Sequence, residues 1–88
     1  MLIFVMFIVY MLRMENGSLY TGQTKDLEKR LETHRKGKGA KYVRAFGEFV
    51  LVYKEACIDR SAAMKREAEI KKMGKLKKEL LVKDSVIS

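Results

Sequence analysis

Ile8-Val9-Tyr10-Met11-Leu12-Arg13-Met14-Glu15-Asn16-Gly17-Ser18-Leu19-Tyr20-Thr21-Gly22-Gln23 is the stretch whose reading decides the fold. Two runs rich in β-branched and aromatic residues flank a Glu-Asn-Gly turn, which is the pattern of a β-hairpin. Its register decides what the two tyrosines can do together. With Asn16-Gly17 as a two-residue loop, Tyr10 faces Gln23 and Tyr20 points to the opposite side of the sheet. With Glu15-Asn16-Gly17 as a three-residue loop and Gly17 in the left-handed region, Met14 faces Ser18, Tyr10 faces Gly22 and Leu12 faces Tyr20. Both phenols then share one face. A composite site needs this second register, which is the expectation here. Gly22 opposite Tyr10 would also leave room beside the ring for an approaching backbone.

Upstream, the apolar opening Met1 to Leu12 lacks the basic start and small-residue cleavage site of a signal peptide. It is also short of the roughly 20 residues that a helix needs to span a bilayer. Its Ile, Val, Phe and Tyr content fits a strand covered on both faces, so no membrane attachment is expected. The hairpin strands are placed at Phe4 to Arg13 and Leu19 to Gln23. Downstream, Thr24 or Asp26 can cap a helix to about Arg35, ended by Gly37 or Gly39. Phe49 to Glu55 reads as a third strand. Asp59 or Ser61 caps a long helix to about Met73, Gly74 breaks it, and Lys75 to Leu81 forms a last short helix. Val82 to Ser88 reads as a loosely held tail. The order gives an α/β fold, a small three-stranded sheet flanked by helices, whose hairpin strands are antiparallel neighbours. The place of the third strand is left open.

The 88 residues, 48% hydrophobic, support one domain with one core, assigned to residues 4–81 with 82–88 as the tail. The single Cys57 has no disulfide partner within the chain, reads as a small buried apolar residue, and fits a reducing cytoplasm. Net charge is +8, concentrated in two runs. Lys25 to Arg44 holds eight basic residues against Asp26, Glu28 and Glu32, and Lys65 to Lys78 holds seven against Glu67 and Glu69. Either run alone fits a solvated helix face; the two together favour a polyanionic partner, bound less tightly as salt rises.

Helical spacing puts Leu27, Arg30, Leu31 and His34 on one stripe of the first helix, with Lys25, Glu28, Lys29, Glu32 and Lys36 outward. Arg30 and His34 are therefore expected to look inward. A desolvated guanidinium needs an anionic partner; the alternative is a rim position with the head in water. His34 fits either a structural or a functional histidine. In the long helix Ala63, Glu67, Ile70 and Gly74 form a stripe that puts Glu67 on the packed side. Glu67 can pair with Lys71, or ligate a hydrated divalent cation. A phenol, a guanidinium, an imidazole and a carboxylate together can cut a phosphodiester.

In this order the residues resemble the GIY-YIG nuclease superfamily, and within it the small stand-alone, UPF0213-like branch. Ile8-Val9-Tyr10 stands at the first signature triplet and Tyr20-Thr21-Gly22 at the second. Asp26 to His34 is similar to the family's first helix, and Gly37 to Arg44 and Arg66 to Lys72 are similar to the stand-alone branch. Ile8 and Thr21 depart from the signature, Gln23 stands where some relatives have lysine, and no late asparagine is present, Asn16 being the turn residue.

The resemblance implies an antiparallel sheet and a metal-dependent endonuclease that hydrolyses phosphodiesters, of DNA rather than RNA, structure-selectively or with low sequence specificity. DNA repair or recombination is the implied setting. It carries over Tyr10, Tyr20, Arg30, His34 and Glu67 as catalytic residues, with Glu67 holding Mg2+ or Mn2+. Tyr10 would position or deprotonate the attacking water with His34 as proton acceptor, and Arg30 would hold the phosphate oxygens. Tyr20 would orient water or phosphate. Lys25, Lys38, Lys41, Tyr42 and Arg44 are the expected nucleic-acid contacts, with Tyr42 available to stack on a base. The competing readings are a non-catalytic nucleic-acid-binding module on the same scaffold and a structural protein kept soluble by its charges.

Overall fold

The turn at Glu15-Asn16-Gly17 closes as a three-residue loop. In the computed structural model, which describes residues 6–37 and 48–85, Gly17 has φ 88°, a left-handed conformation that costs a Cβ-free residue little. Met14 N donates to Ser18 O at 2.8 Å and Gly17 N to Met14 O at 2.9 Å. The Asn16 side chain accepts from the Ser18 amide and hydroxyl. Strand β1 (Phe7–Met14) therefore pairs antiparallel with β2 (Leu19–Thr24) with Tyr10 opposite Gly22 and Leu12 opposite Tyr20. That is the expected register. Phe4 and Val5, also expected in the first strand, lie outside the described residues.

Strand β3 (Phe49–Cys57) joins the free edge of β1, giving the antiparallel order β2-β1-β3. The register slips between Met11, opposite Tyr53, and Leu12, opposite Leu51, so Val52 is the extra residue of a bulge. As the central strand, β1 is covered on both sides: Val9, Tyr10, Met11 and Leu12 are fully buried. Each such side chain removed from water stabilises by about 1.5–3 kcal/mol.

Alternation along β1 divides the core. Tyr10, Leu12 and Met14 pack with Leu31, Leu27, Tyr20 and Phe49 under helix α1 (Leu27–Arg35). Val9 and Met11 pack with Tyr53, Cys57, Ala63 and Ile70 under helices α2 (Arg60–Lys71) and α3 (Lys75–Asp84). Asp26 caps α1 by accepting from Lys29 N at 3.1 Å, and Asp59 caps α2 by accepting from Ala62 N at 2.8 Å. Thr24, the other candidate cap, instead bonds the Asp26 backbone. Gly37, at φ 72°, follows α1. Gly74 separates α2 from α3 as expected.

Helix α3 runs past Leu81 to Asp84, and Val82, expected in a loose tail, packs against the core. Arg13 ties the far end of the hairpin to this helix, donating to both Glu79 oxygens at 2.5 and 2.6 Å and to Gly17 O at 3.1 Å. No helix among the described residues is long and apolar enough to cross a membrane.

Candidate active site

Tyr10, Tyr20 and His34 come together on the α1 side of the sheet. The register places both phenols on that face, and one helical turn from Arg30 brings His34 over them. The Tyr10 hydroxyl lies 3.0 Å from His34 Nε2, a buried hydrogen bond between residues 24 apart in the chain. Ring centroids are 6.3 Å apart for Tyr10 and Tyr20, 6.2 Å for Tyr10 and His34, and 5.8 Å for Tyr20 and His34, the last edge-on. These are the tilted and edge-to-face arrangements that aromatic quadrupoles favour.

The room at Gly22 is used by Tyr10 itself. A Cβ at Gly22 would sit 2.7 Å from the Tyr10 hydroxyl oxygen, 2.8 Å from Cζ, and 3.1 Å from a Tyr20 ring carbon. The expectation that this space admits a foreign backbone is therefore corrected: the missing side chain lets the Tyr10 ring lie across β2. The phenol thereby reaches the edge strand, where it senses charges from both sides of the sheet.

Burial is the main cause that pushes the Tyr10 phenol well above its ordinary value. Tyr20 adds to the rise through charge and hydrogen bonding, and Glu67 adds its negative charge, while Arg30 opposes them. His34 is held below the ordinary imidazole value, first by burial and then by the Arg30 charge. Arg30 alone does not ease Tyr10 towards phenolate, and the neighbour that Tyr10 meets is His34, the expected proton acceptor. Enclosed among apolar groups, the phenol keeps its proton and the imidazole stays neutral. Tyr10 is fully buried and His34 is 3% exposed, whereas Tyr20 is half-buried and is the member of the trio that meets solvent.

Arg30 shares the stripe of Leu31 and His34 but not their burial. It is exposed, because a guanidinium on a four-bond stem reaches water where a leucine cannot. The inward placement expected for it gives way to the rim position, from which its charge still acts on Tyr10 and His34. Glu67 lies on the packed side of α2, its side chain 20% exposed, and its Oε2 is 2.7 Å from Lys71 Nζ. Glu69 faces out, as expected, and pairs with Arg66 at 2.5 Å.

Among the described residues no cluster of three or more His, Cys, Asp or Glu side chains could cage a metal. One accessible carboxylate does fit a hydrated divalent cation, which is typically held by one or two carboxylates plus water and substrate phosphate. Of the expected nucleic-acid contacts, Lys25 is exposed beside the Asp26 cap. Lys38, Lys41, Tyr42 and Arg44 lie outside the described residues.

Sequence reasoning missed Phe49, read only as the start of a strand. Its ring stands edge-on to His34 at 6.0 Å and carries the Arg35 guanidinium 5.6 Å from its centroid. It forms one wall of the imidazole's seat. The second polar network, in which Tyr53 donates to Glu55 and Arg66 Nε donates to the same oxygen at 2.9 Å, was also missed. The Phe49 ring contacts and the Glu55–Arg66 bond join residues from different elements, and no local pattern marks them.

Comparison with known proteins extends the geometry. Residues 6–79 match the model of the GIY-YIG catalytic domain. A UPF0213 protein of Serratia liquefaciens is 50% identical over 74 residues, 84% of this chain and 72% of that protein. A UPF0213 protein of Pectobacterium carotovorum subsp. carotovorum (strain PC1) is 49% identical over 76 residues, covering 86% of this chain and 77% of its own length. The solution NMR structure of a UPF0213 protein from Bacillus halodurans superposes with a TM-score of 0.59 at 44% identity, covering 89% of this chain and 83% of that one.

Proposed function

The chain belongs to the GIY-YIG family, in its UPF0213 branch, and from that membership we propose a divalent-metal-dependent endonuclease that hydrolyses DNA phosphodiesters in the cytoplasm. A nuclease family implies a nucleic-acid substrate; DNA, low sequence specificity and a place in repair or recombination are our own reading. The observation that carries it is the buried hydrogen bond between Tyr10 and His34 inside an aromatic trio whose phenol feels both Arg30 and Glu67. A fold needs no such assembly merely to be stable, because burying polar groups is costly and His34 Nδ1 is enclosed without a partner among the described residues.

In this reading Arg30, at the rim with its donors free to reach outward, holds the non-bridging oxygens of the scissile phosphate and offsets their charge. Tyr20, half in solvent, orients the attacking water. Tyr10 and His34 lie behind it as a proton path. The water's proton passes to the Tyr20 oxygen as the Tyr20 proton moves to Tyr10 and the Tyr10 proton to His34 Nε2, so neither phenol is left as a phenolate. The low basicity of His34 keeps Nε2 unprotonated and ready to accept near neutral pH. Glu67 would hold the divalent cation, Mg2+ or Mn2+, with Lys71 moving aside into solvent. When bound, the cation supplies charge stabilisation at the phosphate and the departing oxygen.

The test is a panel of linear, flapped and branched DNA and RNA substrates with Mg2+ or Mn2+, with chelator and with Glu67→Ala. The expected result is chelator-sensitive cutting of DNA that Glu67→Ala lowers by at least about 100-fold, with binding retained. Equal rates for Glu67→Ala and wild type would assign the cutting to a contaminant. Binding without cutting under every condition would leave the non-catalytic module as the function.

A further inference from the structure

Next to the aromatic trio, and sharing only Arg30 with the residues assigned to it, lies an open cavity of about 690 Å³. That is within the roughly 300–1,000 Å³ range of small-molecule sites. Four stretches of chain converge on it: the start of β1, the end of β2 leading into α1, α1 itself, and the first residue of α2. They bring Lys25, Lys29, Arg30 and Arg60 to its walls against the single carboxylate of Asp26, which is turned to the Lys29 amide as a helix cap.

None of these four cations pairs with an acidic residue among the described residues. Arg13, Lys36, Arg66 and Lys71 do find acidic partners; what sets the four apart is that they line one cavity. Four like charges gathered around a concavity repel one another, and the low-dielectric walls focus their field on its interior. Phe7 supplies an apolar wall.

We propose that this cavity seats the nucleotide next to the scissile phosphate, with its own phosphate held by Lys25, Lys29 and Arg60 and its sugar against Phe7. Arg30 stands between the two phosphates and sets their spacing. The proposal rests on the nucleic-acid reading above and adds the substrate's second point of attachment. Gripping a phosphate one step along the strand positions the chain without reading its sequence, in keeping with low sequence specificity. Such contacts act equally before and during the reaction, so they contribute to substrate binding rather than to the chemical step.

The experiment measures binding apart from cutting. A labelled flapped DNA duplex is titrated in chelator, by fluorescence anisotropy, over a series of KCl concentrations with wild type, Lys29→Ala/Arg60→Ala and a control, Lys77→Ala/Lys83→Ala on α3. Each lost phosphate contact lowers the slope of log affinity against log salt by about one, so the cavity pair is expected to lose about two and the control much less. In cleavage with Mg2+ the cavity pair raises KM and leaves kcat within about threefold. An unchanged salt slope, an equal loss in the control pair, or failure of wild type to bind the probe overturns the proposal. A wild type that binds through the cavity and never cuts overturns the nuclease reading instead.

Discussion

The two faces of the sheet are built from alternate residues of the same strand, and they are put to different uses. Towards α2 and α3, β1 presents Val9 and Met11 to Cys57, Ala63 and Ile70, and polar groups are few: the half-buried network of Tyr53, Glu55 and Arg66 and the enclosed Thr21 hydroxyl opposite Met11. Towards α1 it presents Tyr10, whose hydroxyl is buried against an imidazole. His34 Nδ1 on that side is enclosed without a hydrogen-bond partner among the described residues. Burying such an atom costs about 1–3 kcal/mol. An apolar face obtains its stability from area; the other gives some of it up to hold two phenols and an imidazole in one geometry. The comparison teaches that in a domain this small a single strand can carry both core and chemistry, because its side chains alternate between the faces.

The largest effect expected from breaking the comparison is on the apolar side. Ile70→Ala removes a fully buried side chain and should lower stability by about 2–5 kcal/mol in chemical denaturation, with the cleavage rate per folded molecule preserved. A rate that falls further than the folded fraction would show the faces to be coupled through Glu67, one turn earlier on the same helix.

A smaller stability loss with a larger functional one is expected at Gly22. The added methyl of Gly22→Ala must displace the Tyr10 phenol, at a cost of about 1–3 kcal/mol. The cleavage rate should drop by about tenfold or more, since displaced reacting groups are costly. An intact rate in Gly22→Ala would mean that the seating of Tyr10 does not matter.

The smallest effect is a difference in pH dependence. Because His34 is held below its unfolded value, the native state resists a proton that the unfolded chain accepts. Above a pH of about 6.5 both forms are neutral and nothing is lost. As pH falls below that, stability declines until the native imidazole itself titrates. The melting temperature of wild type should therefore fall more between pH 7 and pH 5 than that of His34→Gln. The carboxylates of Glu55 and Glu79, held low chiefly by hydrogen bonds from Tyr53 and Arg66 and from Arg13, titrate below this window. Parallel curves for the two proteins would place His34 in contact with water.

Much of the fold was legible because its signals are local. The Asn16-Gly17 turn specified the hairpin, Asp26 and Asp59 marked helix starts, and Gly74 marked a break. Counting residues around Gly17 left the shared face of Tyr10 and Tyr20 as one of two registers, chosen because a composite site needs it, and the structure has that register. Arg30 was misplaced because helical spacing reports the direction of the Cβ, whereas a long charged side chain reaches solvent from the edge of a buried stripe. The far end of α3 was drawn short because Val82 earns its place by packing on a core assembled from other elements.

The sequence by itself determined the antiparallel hairpin and the alternation of side chains between the faces of β1, and it narrowed the register to two; the loop that closes at Gly17 chose between the two registers. These depend on turn geometry and a period of two, and both act within a few residues. Only the tertiary structure decided that β3 joins the free edge of β1, that the Tyr10 ring crosses Gly22 to meet His34, and that Lys29 and Arg60 come to face one cavity. Those contacts link residues distant in the chain, and their free energy depends on burial and on neighbouring charge, which exist only once the elements have packed.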